Sequence, residues 1–176
     1  MQRSNGRLFW PIFVIVAALD FSTKAMAARL DPLVPRELYG EWVRLTLVYN
    51  KGAAFGLYVG NYSRWIFMVL TIVALVILGR LYSATRRGDY IRAMSLALVC
   101  GGAVGNLIDR IRSASGVVDF IDIGFSDSRW PTFNVADMAV SIGAFLLAWV
   151  LWGEDSEESV AVPAPAAVGG ESGELS

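Results

Sequence analysis

Four stretches of the chain are apolar over close to the roughly 20 residues that an α-helix needs to cross the hydrocarbon core of a bilayer. They run from about Leu8 to Ala28, Trp65 to Tyr82, Tyr90 to Ile108 and Val135 to Trp152. Lipid offers the backbone no hydrogen-bond partners, so stretches of this kind span as helices rather than as open sheet. Composition agrees: 55% of the 176 residues are hydrophobic and 18% charged. That is more apolar surface than an interior of this size can hide, and a bilayer covers the rest. Trp10, Trp65, Tyr82, Tyr90 and Trp152 lie at or near the span ends, as an interfacial belt requires. The length suits one domain.

The first stretch has a second reading, as a cleaved leader. Arg3 and Arg7 would be its basic end, Leu8 to Leu19 its apolar run and Ala25-Met26-Ala27 its cleavage site. Asp20 and Lys24 argue for a retained helix. Spaced i,i+4, they meet on one face and can pair, and charges so deep in a span are costly unless paired or functional. Four spans put both termini on one side. Arg80, Arg86, Arg87 and Arg92 crowd the short loop between the second and third spans, with Arg3 and Arg7 on the same side. The positive-inside rule then makes both termini cytoplasmic, although Arg29, Arg36, Arg44, Lys51, Arg64, Arg110, Arg112 and Arg129 lie opposite. The net charge of -1 carries no basic stripe of the kind that binds nucleic acid.

Two segments lie outside the spans on the far side, about 29–62 and 109–134. From Trp42 to Asn50 the residues alternate, with Val43, Leu45, Leu47 and Tyr49 on one face and Arg44, Thr46 and Asn50 on the other. This predicts a half-buried strand ending in an Asn50-Lys51-Gly52 turn, and an amphipathic sheet resting on the outer leaflet would account for it. Gly116 to Phe120 predicts a second short strand. Residues 1–152 are thus expected to form one four-helix membrane domain, with 29–62 as a small β-layer. Residues 153–176, acidic and then rich in Ala, Pro, Gly and Ser, are expected to be a disordered cytoplasmic tail.

The chain has no histidine and one cysteine. Ser-His and Cys-His pairs and the HExxH zinc site are therefore excluded. Cys100 sits in an apolar run and reads as a small buried hydrophobe. What remains is a set of polar residues at one end of the spans: Asp20, Lys24, Asn50, Asn106, Asp109, Arg110, Asp119, Asn134 and Asp137. Each has a plainer role. Asn134 and Asp137 are spaced as an N-cap and its N3 partner. Asp119 could be a loop carboxylate bound to Arg110 or Arg112. Asp109 beside Arg110 suggests a structural pair. Gly101 and Gly105 form a small-xxx-small pattern that lets helices approach closely in lipid.

Five blocks together carry a resemblance: Asp20-Phe21-Ser22-Thr23-Lys24, Asn50 to Gly56, Gly101 to Arg110, Gly116 to Phe120 and Phe133 to Asp137. In order and spacing they resemble the signature blocks of lipoprotein signal peptidases (signal peptidase II). Phe21 departs from the family, where Gln is common. The resemblance implies a bacterial inner-membrane aspartyl protease of four helices and an extracytoplasmic β-cradle. It implies removal of the signal peptide from prolipoproteins, before a cysteine already carrying diacylglycerol. It also implies a dyad at Asp119 and Asp137, a site lined by Asn50, Asn106, Arg110 and Asn134, and support from Asp20, Lys24, Gly105 and Asp109. Neither metal nor cofactor is implied, and a monomer is expected, with lipid and the prolipoprotein signal peptide as its partners. The bulk of that substrate leads us to expect Asn50 to Gly56 to move as a cover. A proton-coupled transporter and a non-catalytic membrane scaffold are the other classes open to this sequence.

Overall fold

A computed structural model of the chain describes residues 5–52 and 60–160, the side chains of 154–160 excepted. Its helices are α1 (Gly6–Ala27), α2 (Ser63–Ala84), α3 (Tyr90–Arg112) and α4 (Val135–Val160). All four are long and apolar enough to cross a membrane, and each falls where a span is expected. α3 is the hub, packing against α1, α2 and α4. Phe9 of α1 meets Leu96, Ala97 and Cys100 of α3 in the buried core, and Cys100 is the small apolar filler its setting suggests. The apolar window of α2 has no fully buried residue; Leu75, Leu78 and Tyr82 pack one stripe of it against the core, and the rest of its apolar surface is left for lipid. α4 continues as helix past the Gly153 boundary to Val160; one glycine costs a helix only about 1 kcal/mol. The rest of the expected tail, residues 161–176, lies outside the described residues.

The β-layer holds four strands in the order β1 (Arg36–Tyr39), β2 (Val43–Asn50), β3 (Val117–Phe125) and β4 (Ser128–Arg129), all antiparallel to their neighbours. β1 and β2 lie in the α1–α2 connection and β3 and β4 in the α3–α4 connection, so the sheet forms at one end of the bundle. β2 matches the strand expected from alternation. β1 and β4 are too short for any period to reveal, and β3 runs five residues past its expected end at Phe120. The strict alternation of β2 is not kept. Leu45 lies opposite Ile121 and Val48 opposite Asp119, so β2 carries a bulge between them. Leu47 is buried but Tyr49, expected on the same face, is exposed. A bulge inserts one unpaired residue and re-aims the side chains beyond it.

Glycines allow the helices of this bundle to touch at the sheet end. A Cβ at Gly105 would overlap the Asp20 carboxylate of α1, and one at Gly102 would overlap the Ala136 carbonyl of α4. Lipid supplies little hydrophobic drive between helices, so such close approach is what holds them. Gly105→Val is expected to lower stability by about 1–3 kcal/mol, the usual cost of overpacking. Gly79→Val, where a Cβ meets nothing within 4 Å, is its control. Thermal unfolding in detergent checks this; equal melting of the two variants would deny the α1–α3 contact.

Candidate active site

The N-terminus of α4 is set against β3 by one isolated bridge, Ile121 to Phe133. Asn134, the next residue, is fully buried. Its Oδ1 accepts the Asp137 N–H at 2.9 Å, and Asp137 Oδ2 accepts the Asn134 N–H at 3.2 Å. This is the reciprocal cap that the spacing predicts. With its oxygen used by the helix, the Asn134 amide turns its Nδ2 outward, and that nitrogen donates to Asp119 Oδ1 at 2.6 Å. One asparagine thereby links the two aspartates.

Asp119 sits in β3 with 2% of its surface exposed. Its partner residue across the ladder is Val48, which makes Asn50 its diagonal neighbour on the same face, within reach of a side chain. Asn50 Nδ2 donates to Asp119 Oδ2 at 3.0 Å, while its Oδ1 accepts the Gly52 N–H at 2.9 Å. Gly116, just before β3, has a φ of 106° that only glycine adopts readily, and a Cβ there would strike the Asn50 carbonyl. The other aspartate, Asp137, receives the Asn106 Nδ2 on Oδ1 at 2.8 Å. Each carboxylate thus accepts two N–H donors, one for each oxygen.

Below these lies an ion cluster. Lys24 and Asp20 pair as their i,i+4 spacing predicts, at 2.7 Å. Asp20 Oδ1 also accepts the Ala136 N–H at 2.9 Å, tying α1 to α4. Asp109 does not pair with Arg110. Adjacent residues on a helix point in different directions, and Asp109 instead meets Lys24 at 3.0 Å and the Val118 N–H at 3.2 Å. Nor is Asp119 simply bound to an arginine. Arg110 donates to the carbonyls of Asn106 and Gly52 at 3.3 and 3.1 Å, and Arg112 lies over the Phe21 ring. Arg110 nevertheless remains in the electrostatic field of Asp109, Asp119 and Asp137.

Asn50, Asn106, Arg110, Asp119 and Asp137 face one cavity of about 540 Å³. Asn134 stands behind its wall. Asp20, Lys24, Asp109 and Gly105 are not among its lining residues. The remainder of the wall is mostly apolar, with Trp130 and Phe133 on one side and Met138 and Ile142 of α4 on another. Sequence reasoning missed these four. The α4 wall had a usable signal, since Val140 and Ser141 follow Asp137 by three and four residues and Met138 and Ile142 are themselves four apart. Phe133 opens the block Phe133 to Asp137 but was not expected in the wall, and Trp130 had no signal, because an irregular loop brings it in. The expected cover from Asn50 to Gly56 lies outside the described residues from Ala53 onward. Among the described residues, no group of three or more His, Cys, Asp or Glu side chains is arranged to hold a metal ion.

Comparison with known proteins points in one direction. Residues 12–153 match the family described as signal peptidase (SPase) II. The lipoprotein signal peptidase of Syntrophotalea carbinolica is 36% identical, over 86% of this chain and 95% of that one. That of Syntrophomonas wolfei is 42% identical, over 79% and 89%. The fold is similar to a bacterial membrane enzyme solved by the in meso method, with a TM-score of 0.75 and 29% identity, covering 88% of this chain and 92% of the other.

Burial gives Asp119 a measurable signature. Loss of hydration, opposed by the Asn50 bond and reinforced by the nearby Asp137 charge, raises its pKa from 3.8 to about 6. Between those values the folded protein holds a proton that the unfolded chain has released. Stability therefore falls as pH rises through this window, by on the order of 3 kcal/mol in all. Asp119→Asn is expected to flatten the slope of melting temperature against pH between about pH 4 and 6. An unchanged slope in that variant would assign the titration elsewhere.

Proposed function

The chain belongs to the signal peptidase II family, and we propose that it removes signal peptides from prolipoproteins with Asp119 and Asp137 as a catalytic dyad. The observation that carries this reading is the pair of carboxylates linked through Asn134, each on two N–H donors, facing a single cavity with apolar walls. Two carboxylates bridged by one asparagine in a shielded site cannot both ionise readily, so they share one proton up to about the pH at which Asp119 titrates. The helix N-terminus favours the anion at Asp137. The apolar setting of β3 favours the proton on Asp119. The pair titrates together, and either assignment leaves the reaction class unchanged.

A water between the two is the nucleophile. Its oxygen attacks the scissile carbonyl carbon as Asp137 takes one of its protons, and Asp119 gives its own proton to the carbonyl oxygen. The tetrahedral intermediate collapses by breaking the C–N bond. The proton held by Asp137 passes to the leaving nitrogen, and Asp119 is reprotonated from the intermediate's hydroxyl. No acyl-enzyme forms. Asn50, Asn106, Arg110 and Asn134 line or back the site and hold the carboxylates or the substrate backbone, while Asp20, Lys24, Asp109 and Gly105 support them from behind. The bond cut lies just before the cysteine that carries diacylglycerol. The apolar wall from Met138 to Ile142 suits a substrate whose signal helix and acyl chains stay in the leaflet. In this reading the enzyme is a monomer of the bacterial inner membrane. The sheet and site lie at the extracytoplasmic surface, and both termini are cytoplasmic.

Asp119→Asn and Asp137→Asn are each expected to reduce cleavage of a lipidated precursor by at least the roughly 10²–10⁴-fold typical of a lost acid or base, with insertion and folding retained. Near-full activity in either variant removes that residue from the dyad. EDTA is expected to leave the parent rate unchanged; inhibition reversed by added metal would replace the two-aspartate mechanism with a metal-dependent one. Asn50→Ala is expected to slow cleavage without unfolding the protein, because one contact to Asp119 is lost and no core is opened. Turnover on the lipidated precursor, normalised to folded enzyme, reads all of these.

A further inference from the structure

Lys24 touches neither the cavity nor either carboxylate of the proposed dyad, yet its side chain is only 4% exposed and its ammonium has three partners. It meets Asp20 Oδ2 at 2.7 Å, Asp109 Oδ2 at 3.0 Å and Asn106 Oδ1 at 2.8 Å. The two carboxylates neutralise it and bind the helices together. A structural ion pair needs nothing more. The third contact is to an uncharged amide, and it has a consequence for that amide's orientation.

An ammonium donates and never accepts. Asn106 must therefore turn its oxygen toward Lys24, which leaves its Nδ2 to face Asp137 Oδ1 at 2.8 Å. If the amide were flipped, two like pairs would form: NH₂ against ammonium, and carbonyl oxygen against carboxylate. Asn134 Nδ2 also approaches Asn106 Oδ1, at 3.2 Å, but its shorter bond goes to Asp119 at 2.6 Å. Its two hydrogens are shared among three acceptors, the Val118 carbonyl at 3.3 Å included, so its hold on the Asn106 oxygen is weaker than that of the ammonium at 2.8 Å. We propose that Lys24 is a positioning residue for the cleavage reaction: it locks the Asn106 carboxamide so that an N–H, rather than an oxygen, is presented to Asp137. This rests on the reading of Asp119 and Asp137 as the dyad. Its function is to hold the Asp137 carboxylate in one rotamer, with Oδ1 and Oδ2 both occupied by donors and the remaining lone pairs directed at the cavity.

The test is a double-mutant cycle on the full-length enzyme with a lipidated precursor, using single-turnover and steady-state rates per folded protein. Lys24→Met is expected to lower kcat by about 10- to 100-fold with KM within about twofold, the pattern of an interaction felt in the transition state. In an Asn106→Ala background the same substitution is expected to cost less than about threefold more, because a residue acting through Asn106 has nothing left to act on. Losses that multiply in the double variant, or an undiminished kcat in folded Lys24→Met, overturn the proposal. A lone Met at this position strands two buried carboxylates and can prevent folding. The cycle is then run with Asp20→Asn/Lys24→Met in place of Lys24→Met; the amide introduced by Asp20→Asn keeps an oxygen for the Ala136 N–H and carries no charge. Asp137→Asn is the control. If it remains active, the dyad reading itself fails; if it is dead and the losses multiply, only the role of Lys24 does.

Discussion

A carboxylate placed out of water at the end of a membrane bundle has to be given hydrogen-bond donors, and here four of them are placed together. Asp20 takes the Ala136 N–H and Lys24; Asp109 takes Lys24 and the Val118 N–H. Asp119 takes Asn50 and Asn134; Asp137 takes Asn106 and the Asn134 N–H. These donors come from α1, α3, the N-terminus of α4 and two strands. Each of the four aspartates takes at least one donor from another element, so the network is complete only when the helices and the sheet are assembled together. Breaking one such buried contact leaves an uncompensated group, which is far more costly than the contact's net worth when present.

That requirement explains features with no obvious chemical role. Gly105 and Gly102 are the space into which the Asp20 carboxylate and the Ala136 carbonyl fit. The bulge in β2 brings Asn50, rather than an apolar neighbour, alongside Asp119. The cap of α4 uses the two ends of the Asn134 amide for different purposes, one structural and one directed at Asp119. The cap between Asn134 and Asp137 and the bond from Asn134 to Asp119 are one arrangement, so capping does not compete with a proposed role at the site.

Much of this was legible in the chain. The spans come from apolar length, β2 from its alternation, the Asp20–Lys24 pair from i,i+4 spacing and the cap of α4 from the Asn134–Asp137 interval. What escaped was set by tertiary contacts with no local period. Asp109 looked like the partner of Arg110 because the two are adjacent, yet helix geometry separates neighbours and delivers Asp109 to Lys24 on another helix. The bulge in β2 depends on its register with β3, which the sequence of β2 alone does not encode. The Trp130 and Phe133 wall belongs to a loop held to β3 by backbone bonds at Ile123 and at Phe120 and Ile121.

The central claim is that Asp119 and Asp137 act on one water and one carbonyl. A structure of the protein with a peptide-like inhibitor, bearing a hydroxyl where the tetrahedral carbon would form, tests it most directly. The account predicts that hydroxyl within hydrogen-bonding distance, about 2.5–3.0 Å, of an oxygen of each aspartate. An inhibitor bound in the cavity with its hydroxyl reaching only one of them, or neither, would contradict it.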